Sequence, residues 1–161
     1  PVCTIMLGRI DDWLEKAVAR DSLAVKPEAL EWGGVAVFKK AYKIFRQRGY
    51  RTRLLTAAYR NLYHWSALIG GDVSMTITSK YLKIFDNSDV EIRAAMDDPV
   101  PACWMEELLK LKEFHRAYDE DGMTPAEYEH YGAFITCLEG FFKGYDDLLK
   151  LIRPYQFGSA L

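Results

Sequence analysis

Most residues in this chain that could do chemistry stand at spacings that exclude a site. Cys3, Cys103 and Cys137 form no CxxC pair and make no ligand pattern with His64, His115 or His130. Three widely spaced thiols read as free cysteines of a cytoplasmic protein. Asp119-Glu120-Asp121-Gly122 resembles part of a calcium loop. With Gly122 at the sixth position, the first and twelfth ligands would fall on Ala117 and Tyr128, and neither can coordinate. No metal is therefore expected. The stretch from Lys39 to Arg53 holds seven basic residues and no acid. A solvated helix face accounts for such a run, and a nucleic-acid patch is the alternative. The net charge of −2 points to neither nucleic acid nor a membrane surface. No apolar run approaches the roughly 18 residues of a spanning helix. No basic-then-apolar leader opens the chain. The expectation is no nucleic-acid partner and no membrane.

The elements that must position any site follow from periodicity. Half of the 161 residues are hydrophobic, enough for a sizeable core. Residues 2–7 are a short apolar run with β-branched members, which suits a strand buried on both faces. Gly8 ends it. Residues 11–20 carry Trp13, Leu14, Ala17 and Val18 at helical spacing, and Pro27 opens a short helical turn. Residues 34–48 place Val35, Phe38, Ala41, Tyr42 and Phe45 on one stripe, with Gly49 as the cap. Residues 53–59 form a second strand, 61–69 a helix stopped by Gly70-Gly71, and 73–77 a third strand. The order β-α-β-α-β implies a parallel sheet with right-handed crossovers.

After Lys80 the pattern is helical. Ser88 caps a helix through Met96, Pro99 and Pro101 break it, and residues 102–118 form the next. Thr124-Pro125-Ala126-Glu127 is a capping box with proline at N1. The last helix runs to about Ile152, where Pro154 stops it. The whole is one partial domain over residues 1–161, with β/α units in 1–80 and a helical region in 81–161. A chain that opens at Pro1, directly on a strand, reads as truncated or processed, or as an incomplete gene product.

Three parallel strands alone leave unpaired edges, which a closed barrel removes. Here two motifs matter. Thr4-Ile5-Met6-Leu7-Gly8-Arg9-Ile10-Asp11-Asp12-Trp13 resembles the Ser-Pro-Phe-Val-Gly-Arg-Ile-x-Asp-Trp stretch that ends a late strand of transaldolase-type barrels. Thr56-Ala57-Ala58-Tyr59-Arg60-Asn61 resembles the Gly-Ala-Ser-Phe-Arg-Asn stretch that ends the next strand. Gly49-Tyr50 and, more loosely, residues 70–77 match as well. The resemblance covers residues 2–79 and implies an α/β fold: the last three β/α units of a TIM (β/α)8 barrel plus C-terminal helices.

The resemblance also implies a function in carbohydrate metabolism, as in the pentose phosphate pathway: Schiff-base transfer or cleavage of ketose phosphates, without a cofactor. By position, Arg9 and Arg60 would clamp the substrate phosphate with Thr4, and Met6, Ala58 and Asn61 would line the site. Arginine's planar fork of donors suits phosphate oxygens, and both arginines fall just past strand ends, where barrel active sites lie. Pairing of each arginine with Asp11 or Asp12 is the other reading. The family's serine is kept as a hydroxyl at Thr4 and lost at Ala58. Its catalytic lysine and proton-transfer carboxylates come from earlier strands. Lys39, Lys40 and Lys43 lie on a helix, and Lys80 and Lys83 follow the third strand. None sits in mid-strand, where burial lowers an amine's pKa, so no catalytic residue is assigned. The sheet edges would be met by the remainder of the barrel, by a second copy, or by the C-terminal helices. The alternatives are a non-catalytic phosphosugar-binding module and a helical interaction protein.

Overall fold

The structure is a computed structural model that describes residues 1–156. It divides into two compact units, residues 1–123 and the residues from Thr124 on. In the first unit, strands β1 (Val2–Met6), β2 (Arg53–Ala57) and β3 (Ser74–Met75) form one parallel sheet in the order β1-β2-β3. Val2 pairs with Arg53, Met6 with Ala57, Leu55 with Ser74 and Thr56 with Met75. The expected parallel order is met, although β3 is two residues rather than five. Thr76 N–H still reaches the Thr56 carbonyl at 3.0 Å.

Helix α1 (Leu7–Asp21) starts directly at the end of β1, four residues before the expected helix start. It is followed by α2 (Pro27–Leu30) and α3 (Gly33–Gln47). Gly49 then turns the chain with φ +63°, a conformation glycine adopts at no steric cost. The α3 stripe carries Val35, Phe38 and Tyr42 into one core with Leu7, Leu54 and Leu68. A second core joins Ile10 and Leu14 to Leu30, Leu108, Leu111 and Phe114. Ile5 packs against both.

Side chains alternate along a strand, so Thr4 and Met6 share the face opposite Ile5. Residues 2–4 are exposed, with Val2 at 58%. The expectation of a strand buried on both faces is corrected: the described helices cover one face only.

Other departures have local causes. Between β2 and β3 only α4 (Tyr63–Ser66) is helical, and turns replace the rest of the expected helix. Helix α5 (Ser79–Asp86) precedes an irregular stretch where a helix over 88–96 was expected. Ser88 Oγ donates back to the Phe85 carbonyl and so closes α5. Ala95 N–H and Met96 N–H both reach the Ile69 carbonyl, at 2.9 and 3.0 Å. Lys39 Nζ donates to the Ala95 and Asp98 carbonyls at 2.8 and 2.7 Å. These long-range bonds outweigh local helix propensity. Burial holds the Lys39 amine below its ordinary pKa.

The basic run is largely paired. Besides Lys39, Lys40 meets Asp119 at 3.6 Å, Arg53 meets Asp72 at 2.8 Å, and Arg48 meets Glu120.

The expected single helix over 102–118 is two, α6 (Ala102–Leu108) and α7 (Lys112–Tyr118). Leu108, Leu111 and Phe114 are all buried in one core. At 3.6 residues per turn, two successive three-residue steps would swing the third side chain away from the first. An extended Leu111 (φ −94°, ψ 117°) resets the phase. His115 Nε2 then bonds the Leu109 carbonyl at 2.9 Å, and Nδ1 bonds Asp119 at 2.7 Å.

Asp119, chiefly, and the Leu109 carbonyl raise the His115 pKa, while His115 lowers that of Asp119. A raised histidine pKa means the tie is fully present below the ordinary histidine range and lost as pH climbs through the raised value. The lowered Asp119 pKa means it is also lost in strong acid. Both bonds require the doubly protonated ring, so one is released on deprotonation. A proton NMR titration of the His115 ring should have its midpoint above 6.5, the ordinary value; a midpoint at or below it overturns the assignment.

In the second unit, Thr124 caps α8 (Pro125–Tyr128) with both bonds of the expected capping box. Helix α9 (Gly132–Gln156) runs through Pro154, which was expected to end it. Proline's fixed φ is itself helical, although its ring removes one N–H and crowds the carbonyl four residues before it. No helix among the described residues is long and apolar enough to cross a membrane.

Candidate functional site

Two joints at the C-terminal ends of β1 and β2 lie against each other. At the first, Gly8 follows β1 inside α1 and donates its N–H to the Ala58 carbonyl at 2.9 Å. At the second, the chain leaves β2 through Ala58 in the left-handed region, φ +61°. A non-glycine residue there costs of order 1 kcal/mol and needs holding by its surroundings. Tyr59 supplies part of that hold. It is buried, its hydroxyl bonds Thr56 Oγ1, and its ring packs on Phe85 of α5 at 5.9 Å.

Both sequence-predicted arginines meet on one carboxylate. Arg60 donates to Asp12 in bidentate fashion, Nε to Oδ1 at 2.8 Å and Nη2 to Oδ2 at 2.7 Å. Arg9 Nη1 stands 3.8 Å from the same Oδ2. The remaining terminal nitrogen of Arg60 donates to the carbonyls of Tyr59 and Ala58, at 3.0 and 3.4 Å. The two guanidinium groups therefore share one carboxylate partner, Asp12. The hydrogen bond to Asp12 raises the Arg60 pKa above its already high value. Arg9 Nε is buried and makes no hydrogen bond within the described residues. The surroundings are acidic: burial, then the charges of Asp12, Asp11 and Glu31, raise the pKa of Glu15.

The other predicted residues are placed differently. Thr4 is exposed on the uncovered face of β1, which it shares with Met6 by alternation. Ala58 contributes its carbonyl, as an acceptor for Gly8 and Arg60. Asn61 is structural in its bonding: Nδ2 donates to the Glu31 carbonyl at 3.0 Å, and Oδ1 accepts the His64 N–H at 3.2 Å.

Sequence reasoning missed a buried pair beside the arginines. Asp11 is 3% exposed and His64 is fully buried. Asp11 Oδ1 accepts the Gly34 N–H at 2.7 Å, and Oδ2 lies 2.6 Å from His64 Nε2. His64 Nδ1 accepts the Arg60 N–H at 3.2 Å. A signal existed. Asp11 stands four residues after Leu7 and three before Leu14, on the apolar stripe of α1, and His64 stands four before buried Leu68. An acid and a histidine on two apolar stripes need each other. No cluster of three or more His, Cys, Asp or Glu that could hold a metal occurs among the described residues.

Comparison with known proteins agrees with the two strand-end motifs. Residues 2–130 match the family described as Transaldolase/Fructose-6-phosphate aldolase. A transaldolase of Alteromonas mediterranea is 31% identical over 118 residues, covering 73% of this chain and 35% of the relative. A transaldolase of Nostoc punctiforme is 30% identical over 148 residues, covering 91% of this chain and 41% of the relative. The chain thus spans well under half the length of these relatives. No solved structure matches it. With the family matched over most of the sequence, and with its two motifs on adjacent parallel strands, the chain belongs to the transaldolase/fructose-6-phosphate aldolase family.

Proposed function

We propose that these residues form the phosphate-binding portion of a transaldolase-like (β/α)8 barrel, with Arg9 and Arg60 as the clamp for a ketose phosphate. The observation that carries this reading is the convergence of both guanidinium groups on Asp12 at the C-terminal ends of neighbouring strands. A carboxylate bound bidentately by arginine is a fair geometric stand-in for two phosphate oxygens. When phosphate arrives, Asp12 must yield part of the Arg60 fork. Thr4 would add a hydroxyl from the uncovered face of β1, and that face and the edges of β1 and β3 would meet the remainder of the barrel or a second copy. Lysine is absent from all three strands. The Schiff-base amine of the family's chemistry is therefore not assigned to any residue of this chain.

The bidentate Asp12 pair also favours a second reading, in which the arginines only lock two joints together. Titration of the chain with inorganic phosphate and with fructose 6-phosphate separates the two, read from the amide resonances of Gly8 and Arg60 at constant ionic strength. Saturable shifts that weaken about tenfold or more in Arg9→Ala and Arg60→Ala support the clamp, each charged hydrogen bond contributing about 1.5–3 kcal/mol. Shifts that persist unchanged in both variants leave only the structural lock. Borohydride reduction in the presence of the ketose phosphate should trap no covalent adduct. A single modified lysine would refute the exclusion of catalysis.

A further inference from the structure

Asp11 and Asp12 are consecutive on α1, yet they reach Arg60 by different routes. Asp12 takes the guanidinium directly. Asp11 is buried, and its Oδ2 lies 2.6 Å from His64 Nε2, while His64 Nδ1 stands 3.2 Å from the Arg60 main-chain nitrogen. That backbone N–H can only donate, so Nδ1 accepts and the ring proton sits on Nε2, facing Asp11. One tautomer of a neutral imidazole satisfies both contacts. The other oxygen of Asp11 is fixed by the Gly34 N–H, at the first turn of α3. An unbroken line of hydrogen bonds thus runs from α3 through α1 and α4 to the backbone of Arg60. Asn61 braces it by accepting the His64 N–H and donating to the Glu31 carbonyl.

Buried ionisable pairs are costly to desolvate, and apolar residues of equal volume often serve packing as well or better. This pair does what an apolar pair cannot: it ends on a specific N–H, two residues after the left-handed Ala58. We propose that Asp11 and His64 are positioning residues for phosphate binding, fixing the backbone of Arg60 so that its guanidinium meets that of Arg9. The assignment rests on the two-arginine phosphate reading and names what holds it in register.

The test uses the 161-residue chain and inorganic phosphate, followed by the Gly8 and Arg60 amides in the parent and in an Arg60→Ala background (there by Gly8 alone). His64→Gln can keep a donor toward Asp11 but loses the acceptor for Arg60. His64→Asn can keep that acceptor. His64→Gln should weaken phosphate binding about tenfold, the worth of one well-aimed hydrogen bond, and His64→Asn should lose less. In the Arg60→Ala background His64→Gln should add nothing, which a role in packing alone would not produce. An equal loss in both backgrounds, or unchanged affinity in His64→Gln, overturns the positioning role. If His64→Gln does not fold, Asp11→Asn takes its place in the same cycle with the same expectation. Unchanged binding in Arg9→Ala and Arg60→Ala refutes the phosphate reading itself. Weakened binding there together with a silent His64 refutes the positioning role alone.

Discussion

Alanine at position 8 is expected to cost about 2–4 kcal/mol, a large part of the roughly 5–15 kcal/mol that holds an ordinary domain together. A methyl carbon built on Gly8 would stand 2.1 Å from the Ala58 carbonyl oxygen and 2.6 Å from Arg60 Cγ. The Arg60 side chain could swing away. The carbonyl cannot, because it accepts the Gly8 N–H and sits one residue beyond the Met6–Ala57 pair of the sheet. Relief requires parting the two strand ends by more than an ångström. That breaks the Gly8 bond and pulls Arg60 off Asp12. Overpacking at about 1–3 kcal/mol and the lost hydrogen bond at about 1 kcal/mol give the estimate. Urea unfolding should show a midpoint lower by about 0.7 M or more, given an m-value of about 1–3 kcal/mol/M. A midpoint close to the parent's would mean that the joint is looser than its geometry, and that Gly8 is not what sets the spacing of the two arginines.

That joint also shows what was legible in the sequence. The β-α-β-α-β order could be read because β-branched apolar runs and the α3 stripe have different periods, and both periods survive folding. The capping box at Thr124 could be read because all its partners lie within three residues. The break at Leu111 could not, because no glycine or proline marks it; it exists to turn Leu108, Leu111 and Phe114 into the same core. The helix expected over 88–96 has good local signals and loses to the Ile69 carbonyl and the Lys39 amine, which are distant in sequence. At the site, resemblance pointed to the phosphate role of Arg9 and Arg60, whereas residue chemistry alone favoured a carboxylate partner, Asp11 or Asp12, and Asp12 is the one they meet. The pairing of Asp11 with His64 went unread because the two lie 53 positions apart and no motif joins them. Only their presence on two apolar stripes hinted that they meet.

The neighbours Asp11 and Asp12 should respond to alanine in opposite ways. Asp12 and Arg60 are each about one-third exposed, at 34% and 37%. An ion pair so wet is worth about 0–1 kcal/mol, so Asp12→Ala should leave stability nearly unchanged. Asp11 is buried, and its removal strands two buried donors, the Gly34 N–H and the His64 Nε2–H. At about 1–3 kcal/mol for each, Asp11→Ala should cost roughly 2–6 kcal/mol. Phosphate affinity should separate them again. Without Asp12 the Arg60 fork is free and one negative charge is gone from beside the two arginines, which favours phosphate by about 1 kcal/mol, or roughly fivefold. Without Asp11 the Arg60 backbone loses its anchor, and affinity should fall. Urea unfolding and the phosphate titration, run on both variants, give four readings with stated signs. Equal loss of stability in the two would mean that the Asp12 bridge is a structural lock rather than a place-holder for phosphate. Weaker phosphate binding in Asp12→Ala would mean that the carboxylate orients Arg60 for its ligand instead of competing with it.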